Sequence, residues 1–136
     1  IARLIDMDVP PYLVAAAMNG VLAQRLVRKL CPKCKKMQPV TEAQKNILKD
    51  HTITEAYAPV GCPNCSFTGY KGRTSIHEVL TVDTGLRELI TKNATTEELR
   101  AYAKEHGMIF MDENVRLKIK EGITSVEEYM RTIYTI

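Results

Sequence analysis

Tryptophan is absent from this 136-residue chain, and phenylalanine occurs only twice, beside six tyrosines. The core therefore has to be assembled from Leu, Ile, Val, Ala and Met rather than from large rings. Long apolar runs are missing as well. The longest stretch without a charged residue, 9–24, is 16 residues and is broken by Pro10, Pro11, Asn19 and Gly20. A spanning helix needs about 20 apolar residues, so the sequence excludes a transmembrane helix. No basic segment followed by an apolar one opens the chain, which argues against a signal peptide. Ile1 in place of Met reads as an internal start, a cut through a longer protein. What remains, 45% hydrophobic and 26% charged, is an ordinary globular composition of about one domain.

Acids are scarce in the first quarter. Residues 1–36 carry seven bases and two acids, whereas 81–136 carry a slight acidic excess and the whole chain sums to +3. Six of the bases, Arg25, Arg28, Lys29, Lys33, Lys35 and Lys36, crowd together. Such a block can meet nucleic acid or acidic lipid. The preferred reading is a solvated face around an anionic metal site.

The four cysteines form two Cys-Pro-x-Cys pairs, Cys31/Cys34 and Cys62/Cys65, separated by 27 residues. Two residues between cysteines let both sulfurs of a pair reach one ion, and proline fixes a backbone angle in the turn. Two such pairs point to a tetrahedral four-cysteine zinc site before they point to disulfides. Four thiolates leave the site formally anionic, with Lys33, Lys35, Lys36 and Lys71 close in sequence to offset the charge. With every position filled by sulfur no water is activated, so the ion is structural. Iron–sulfur ligation commonly places three cysteines in one run, and a thioredoxin-like pair needs only one CxxC. His51, His77 and His106 lie at no ligand spacing, and His106 before Gly107 reads as the C-terminal end of a helix.

Residues 1–8 place Ile1, Leu4 and Ile5 on one helical face. Pro10-Pro11 can start a second helix, running from Tyr12 to Met18 and stopped by Asn19-Gly20. The spacing in 21–30 fits a strand or a helix equally. Residues 31–69, rich in Pro and Gly, read as knuckle, helix, knuckle, the helix running from Thr41 to Lys49 with a Thr41/Gln44 capping box. Residues 74–80 are a strand candidate through Thr74, Ile76 and Val79. Beyond Thr81 the pattern is helical. Asp83 caps one helix with Leu86, Leu89 and Ile90 inward, Thr95 with Glu98 caps a second ended by Gly107, and Thr124 with Glu127 caps the last. Residues 112–121 carry Val115, Leu117 and Ile119 at a less regular spacing. Met108, Phe110 and Met111 read as core rather than as a partner-binding stripe.

Several of these runs, in order, carry a resemblance. They are Arg3-Leu4-Ile5-Asp6-Met7; Gly20 to Cys34 (GVLAQRLVRKLCPKC); Gly61-Cys62-Pro63-Asn64-Cys65; Gly69 to Glu78 (GYKGRTSIHE); and Glu121 to Glu128 (EGITSVEE). Together they resemble the C-terminal part of the type II secretion and type IV pilus assembly ATPases, over essentially the whole chain. The resemblance implies an α+β fragment of a RecA-like α/β P-loop ATPase domain. Residues 1–30 would be the C-terminal edge of the ATPase core, 31–69 a tetracysteine zinc-binding insertion, 70–80 a returning core strand and 81–136 a C-terminal helical subdomain. It also implies that 21–30 is a strand paired with 73–80. The parent so implied is a cytoplasmic homo-hexamer at the inner face of the cytoplasmic membrane. It uses ATP and Mg2+ and works with an inner-membrane platform protein and other secretion or pilus components. Arg73, in Gly-Tyr-Lys-Gly-Arg, is then expected beside bound nucleotide, where a guanidinium can stack on a base or meet a phosphate.

No Gly-x-x-x-x-Gly-Lys-Ser/Thr loop occurs in these residues, and no acid stands in a recognisable Walker B strand. Nothing here can cradle the β and γ phosphates or position magnesium. The chain alone is expected not to hydrolyse ATP, and no catalytic residue is assigned to it. The competing reading is a free-standing zinc-ribbon-like module that binds nucleic acid through 25–36. That reading calls for aromatic residues among the bases, and 25–36 has none.

Overall fold

Two prolines and an Asn-Gly pair set the first elements. In the computed structural model, which describes residues 1–134, α1 (Ala2–Asp6) and α2 (Pro11–Ala17) are divided at Pro10. Proline fits a first helical turn because an N–H there has no helical partner. The chain turns extended at Met18 and enters β1 (Gly20–Leu30), which pairs with β4 (Tyr70–Thr81) in a two-stranded sheet. Residues 21–30 are thus a strand, the alternative that the family likeness implies.

Two hydrogen bonds fix the ribbon's direction. The Cys31 N–H donates to the Gly69 carbonyl (2.9 Å) and the Val82 N–H to the Asn19 carbonyl (3.0 Å), so the strands are antiparallel. Gly72 within β4 is left-handed, at φ +78 with nothing within 4 Å of a Cβ, a conformation glycine adopts without steric cost.

The chain forms two compact units, Ile1–Ala23 with Glu78–Phe110, and Gln24–His77 with the chain from Met111 on. In the first, α4 (Thr84–Thr91) and α5 (Thr96–Glu105) join α1 and α2. Its core is Val14, Ala15, Val82, Leu86, Ile90 and Leu99, with Ile1, Ile5 and Leu89 packed against it. The expected caps form. Asp83 accepts from the Leu86 N–H at 2.8 Å, and Thr95 and Glu98 bond each other's N–H at 2.7 and 3.3 Å.

The second unit contains β2 (Lys36–Pro39), α3 (Glu42–Leu48), β3 (Glu55–Ala58), α6 (Met111–Lys120) and α7 (Val126–Tyr129). A π-helical turn, Met130–Tyr134, follows α7. The Thr41/Gln44 capping box starts α3 as read. The knuckle–helix–knuckle reading omitted the antiparallel β2–β3 hairpin, in which Met37 faces Tyr57 and Gln38 faces Ala56. These strands are four residues long and carry no alternation strong enough to announce them. The core joins Val40, Leu48, Ile53 and Ala56 of the insertion to Val27, Ile76, Val115, Ile119, Val126 and Tyr129. In α6, Val115 and Ile119 face inward at i, i+4, while Leu117 is exposed. Phe110 is buried and Met111 is packed against this core. The helices after Thr81 are divided, α4 and α5 in one unit, α6 and α7 in the other. No described helix is long and apolar enough to cross a membrane.

The last cap differs from the sequence reading. Ser125, not Thr124, is the N-cap, and its hydroxyl accepts from the Glu128 N–H at 3.4 Å. Thr124 is fully buried and donates instead to the Arg28 carbonyl at 2.8 Å. Glu128, also fully buried, accepts from the Arg28 N–H (2.7 Å), the Arg28 guanidinium (2.7 Å) and the Arg131 guanidinium (2.8 and 2.9 Å). Burial pushes this carboxyl up, but the bonds from Arg131 and Arg28 outweigh it and hold its pKa down at about 2.

A depressed carboxylate stabilises the fold above its unfolded pKa, and the contribution is lost as pH falls toward the folded value. Glu128→Gln therefore lowers stability at pH 7 by about 3 kcal/mol. In urea denaturation the gap from wild type narrows as pH drops from about 5 toward 2. Both proteins keep the same cysteines, so thiol protonation cancels in the comparison.

Candidate metal centre

Each Cys-Pro-x-Cys segment closes on itself through backbone bonds. The Cys34 and Lys35 N–H groups return to the Cys31 carbonyl at 3.3 and 3.0 Å. Pro63–Cys65 forms a 3-10 turn in which the Cys65 N–H reaches the Cys62 carbonyl at 3.1 Å. Strands β1 and β4 bring the two turns together, since Cys31 follows the last residue of β1 and Gly69 precedes β4.

All four sulfurs lie within 4.8 Å of one another. The separations are 3.9 Å for Cys31–Cys62 and 3.8 Å for both Cys34–Cys65 and Cys62–Cys65. A tetrahedron with metal–sulfur bonds of about 2.3 Å has edges of about 3.8 Å. None of the four is in a disulfide. Cys31 and Cys65 are buried, and Cys34 and Cys62 are half-buried.

The donors that meet the sulfurs are amides rather than the neighbouring lysines. Gly61 N–H points at Cys34 Sγ (3.3 Å), Cys62 N–H at Cys65 Sγ (3.2 Å) and Gly69 N–H at Cys65 Sγ (3.3 Å). Asn64 Nδ2 lies 3.5 Å from Cys31 Sγ. Burial pushes the Cys65 thiol up, yet the amides of Cys62 and Gly69 and the adjoining thiols hold it down at about 6. At Cys34 burial prevails over the Gly61 amide and pushes the thiol up to about 11. A cation bound by all four would displace the remaining protons. Two glycines admit the close packing. A Cβ on Gly61 (φ +107) would lie 2.7 Å from the Phe67 carbonyl, and one on Gly69 (φ +78) 2.4 Å from Pro59.

Two of the four lysines expected to offset the thiolates are otherwise occupied. Lys35 donates to the Gly122 carbonyl at 2.7 Å and sits over the Tyr57 ring, and Lys71 donates to Asn64 at 3.0 Å. Within the basic block, Arg28 pairs with Glu128, and Arg25 donates to the Thr132 carbonyl. His51 and His77 are exposed and outside the cluster. His106 follows α5 as read, Nδ1 at 2.8 Å from the Tyr102 carbonyl and its ring stacked on Tyr102. Arg73 is exposed on β4, directly after Gly72. Sequence reasoning missed the amides around the sulfurs and the Gly122–Glu128 clasp. The Gly residues flanking the second knuckle were the available signal for the former.

A family model described as "Type II/IV secretion system protein" matches residues 1–131. The chain is 41% identical over 137 residues to the type IV pilus assembly ATPase TfpB of Acinetobacter baylyi, covering 98% of the chain and 23% of that protein. It is 40% identical over 133 residues to the type II secretion system ATPase E of Vibrio cholerae, covering 96% of the chain and 26% of that protein. With the type IV pilus assembly ATPase PilB of Thermus thermophilus the identity is 41% over 138 residues, 98% of the chain and 16% of that protein. The chain therefore belongs to the type II/IV secretion system protein family, and it spans about a quarter or less of the length of these relatives.

Cys62→Ser removes one corner of the cluster. Because 31–69 shares its core with α6 and α7, amide hydrogen exchange is expected to quicken in 31–69 and in those two helices. Protection in α4 and α5 is expected to stay unchanged.

Proposed function

We propose that this chain is the C-terminal piece of a hexameric ATPase motor for type II secretion or type IV pilus assembly, and that its tetracysteine cluster holds a structural zinc ion. The observation that carries the reading is the family match over 1–131 together with four sulfurs that lie within 4.8 Å of one another. When bound, zinc supplies cross-linking rather than reactivity, since four sulfurs leave no position for water. Its binding contributes on the order of 10 kcal/mol to folding at neutral pH. The residues of this chain do the rest. Cys31 and Cys34 anchor the exit from β1, Cys62 and Cys65 the return to β4, and the amides of Gly61, Cys62 and Gly69 offset thiolate charge.

In the parent, 1–30 and 70–80 belong to the edge of a RecA-like core, 31–69 is its zinc insertion and 81–136 its helical subdomain. Arg73, held on a paired strand, binds nucleotide. ATP hydrolysis with Mg2+ takes place on residues outside this chain and moves subunits against an inner-membrane platform protein at the cytoplasmic face. The nucleic-acid reading loses support because Arg25, Arg28 and Lys35 of the basic block are taken up in internal contacts.

Protein purified without added metal is expected to carry about one equivalent of zinc per chain, and well under one equivalent in reduced, folded protein rejects the centre. The isolated chain is expected to turn over no ATP. In the full-length parent, Arg73→Ala weakens nucleotide binding by about tenfold, and an unchanged affinity removes Arg73 from the site.

A further inference from the structure

An apolar pocket of about 340 Å³ opens within the first unit. Leu99, Ala103 and Phe110, all buried, line it together with Leu80 and Met108, and Ile1, Ala2 and Arg3 at the start of α1 border it. The volume is at the low end of ligand pockets, which run from about 300 to 1,000 Å³. Its chemistry is not that of a ligand site. Such a site sets a few polar groups inside an apolar lining, whereas Arg3, Thr96 and Arg100 are exposed here and Glu78 is already engaged in the fold. Arg100 is turned onto the Phe110 ring, 4.2 Å from its centroid.

The two helices at the start of this unit are also incomplete by themselves. Ile1 at the cap position of α1 makes no side-chain bond and the first turn holds no acid, whereas Asp83 and Thr95 cap α4 and α5. Five residues are few against the roughly 11 of an average helix. α2 (Pro11–Ala17) contains no charged residue, and its single polar side-chain group is the Tyr12 hydroxyl. Val14 and Ala15 face the core, yet Tyr12 and Leu13 are 61% and 46% exposed. A helix apolar on every side belongs in an interior. Apolar surface on α2 as well as in the pocket calls for a polypeptide cover, because a small molecule in the pocket would leave α2 bare.

We infer that the pocket is occupied by the stretch of polypeptide that directly precedes Ile1 in the longer protein, with apolar side chains laid on Leu99, Ala103, Met108 and Phe110. The inference rests on the reading of this chain as the C-terminal piece of a motor, and the chain spans about a quarter or less of its relatives' length. Continuity of the chain selects this occupant. A segment joined to Ile1 is held beside the pocket at an effective concentration of about millimolar, which a free ligand or a second copy would have to match from solution.

The test is photo-crosslinking in the full-length parent. The photoreactive residue p-benzoylphenylalanine replaces Met108 in the pocket, Thr96 at its rim or, as a control, the exposed Met37 of β2. Thr96 is exposed, so that position accepts the larger ring even if Met108 does not, and circular dichroism identifies the folded variants. Irradiation should link positions 108 and 96 to the peptide preceding Ile1 in the same chain, in a yield that dilution leaves unchanged. Position 37 should give no such link. The inference is overturned if folded protein carrying the probe at 96 forms no link to that segment. It is equally overturned if the links run to a second copy and fall on dilution, or run to another protein. ATP turnover by the parent is read separately: turnover without the link defeats this inference alone, and the link without turnover defeats the motor reading alone.

Discussion

A single buried carboxylate organises the unit that carries the cysteines. Glu128 is fully buried, and an ionised side chain in that position persists only if donors surround it. Arg28 and Arg131 provide them, one from β1 and one from the π-helical turn. Satisfying that charge fixes the start of α7 against β1. Thr124 then reaches the Arg28 carbonyl, the Leu30 N–H reaches the Ile123 carbonyl at 2.8 Å, and the Tyr70 hydroxyl meets Ser125 at 2.7 Å. The first two contacts lie within three residues of Cys31, and Tyr70 follows Gly69, whose carbonyl accepts from the Cys31 N–H, so these bonds also hold the base from which the cysteine cluster rises.

This arrangement changes what the insertion is. A metal-clipped excursion between two strands suggests a detachable module. Its buried residues, Val40, Leu48, Ile53 and Ala56, instead share a core with α6 and α7. The cysteine cluster is thereby coupled through packing to α6 and α7, and Lys35 strengthens the link by donating to Gly122. An ion held by the four sulfurs would stiffen a whole unit rather than a loop.

Features governed by local chemistry were legible in the sequence. The Thr41 and Thr95 capping boxes, the Asp83 cap and the proline start of α2 depend on residues within one helical turn. The cysteine pairs were legible because ligand spacing is itself local. Three other features were not. The segment 21–30 satisfies two periods equally, and its pairing with β4 decided between them. The β2–β3 hairpin is too short to leave a pattern. At the last helix, Thr124/Glu127 and Ser125/Glu128 both present a hydroxyl three residues before a glutamate, and burial of Glu128 against two distant arginines chose the second.

The sequence by itself determined that two Cys-Pro-x-Cys turns would form, that helices would follow Thr81 and that bases would crowd around the first turn. Tertiary structure alone decided which sulfurs approach one another, that amides rather than lysines face them, and which basic residues are already engaged. It also divided the helices after Thr81 between two cores. The physical reason is range. Caps and ligand spacings are settled within a few residues, whereas buried charge, strand pairing and shared packing join positions such as Arg28 and Glu128 that lie 100 residues apart.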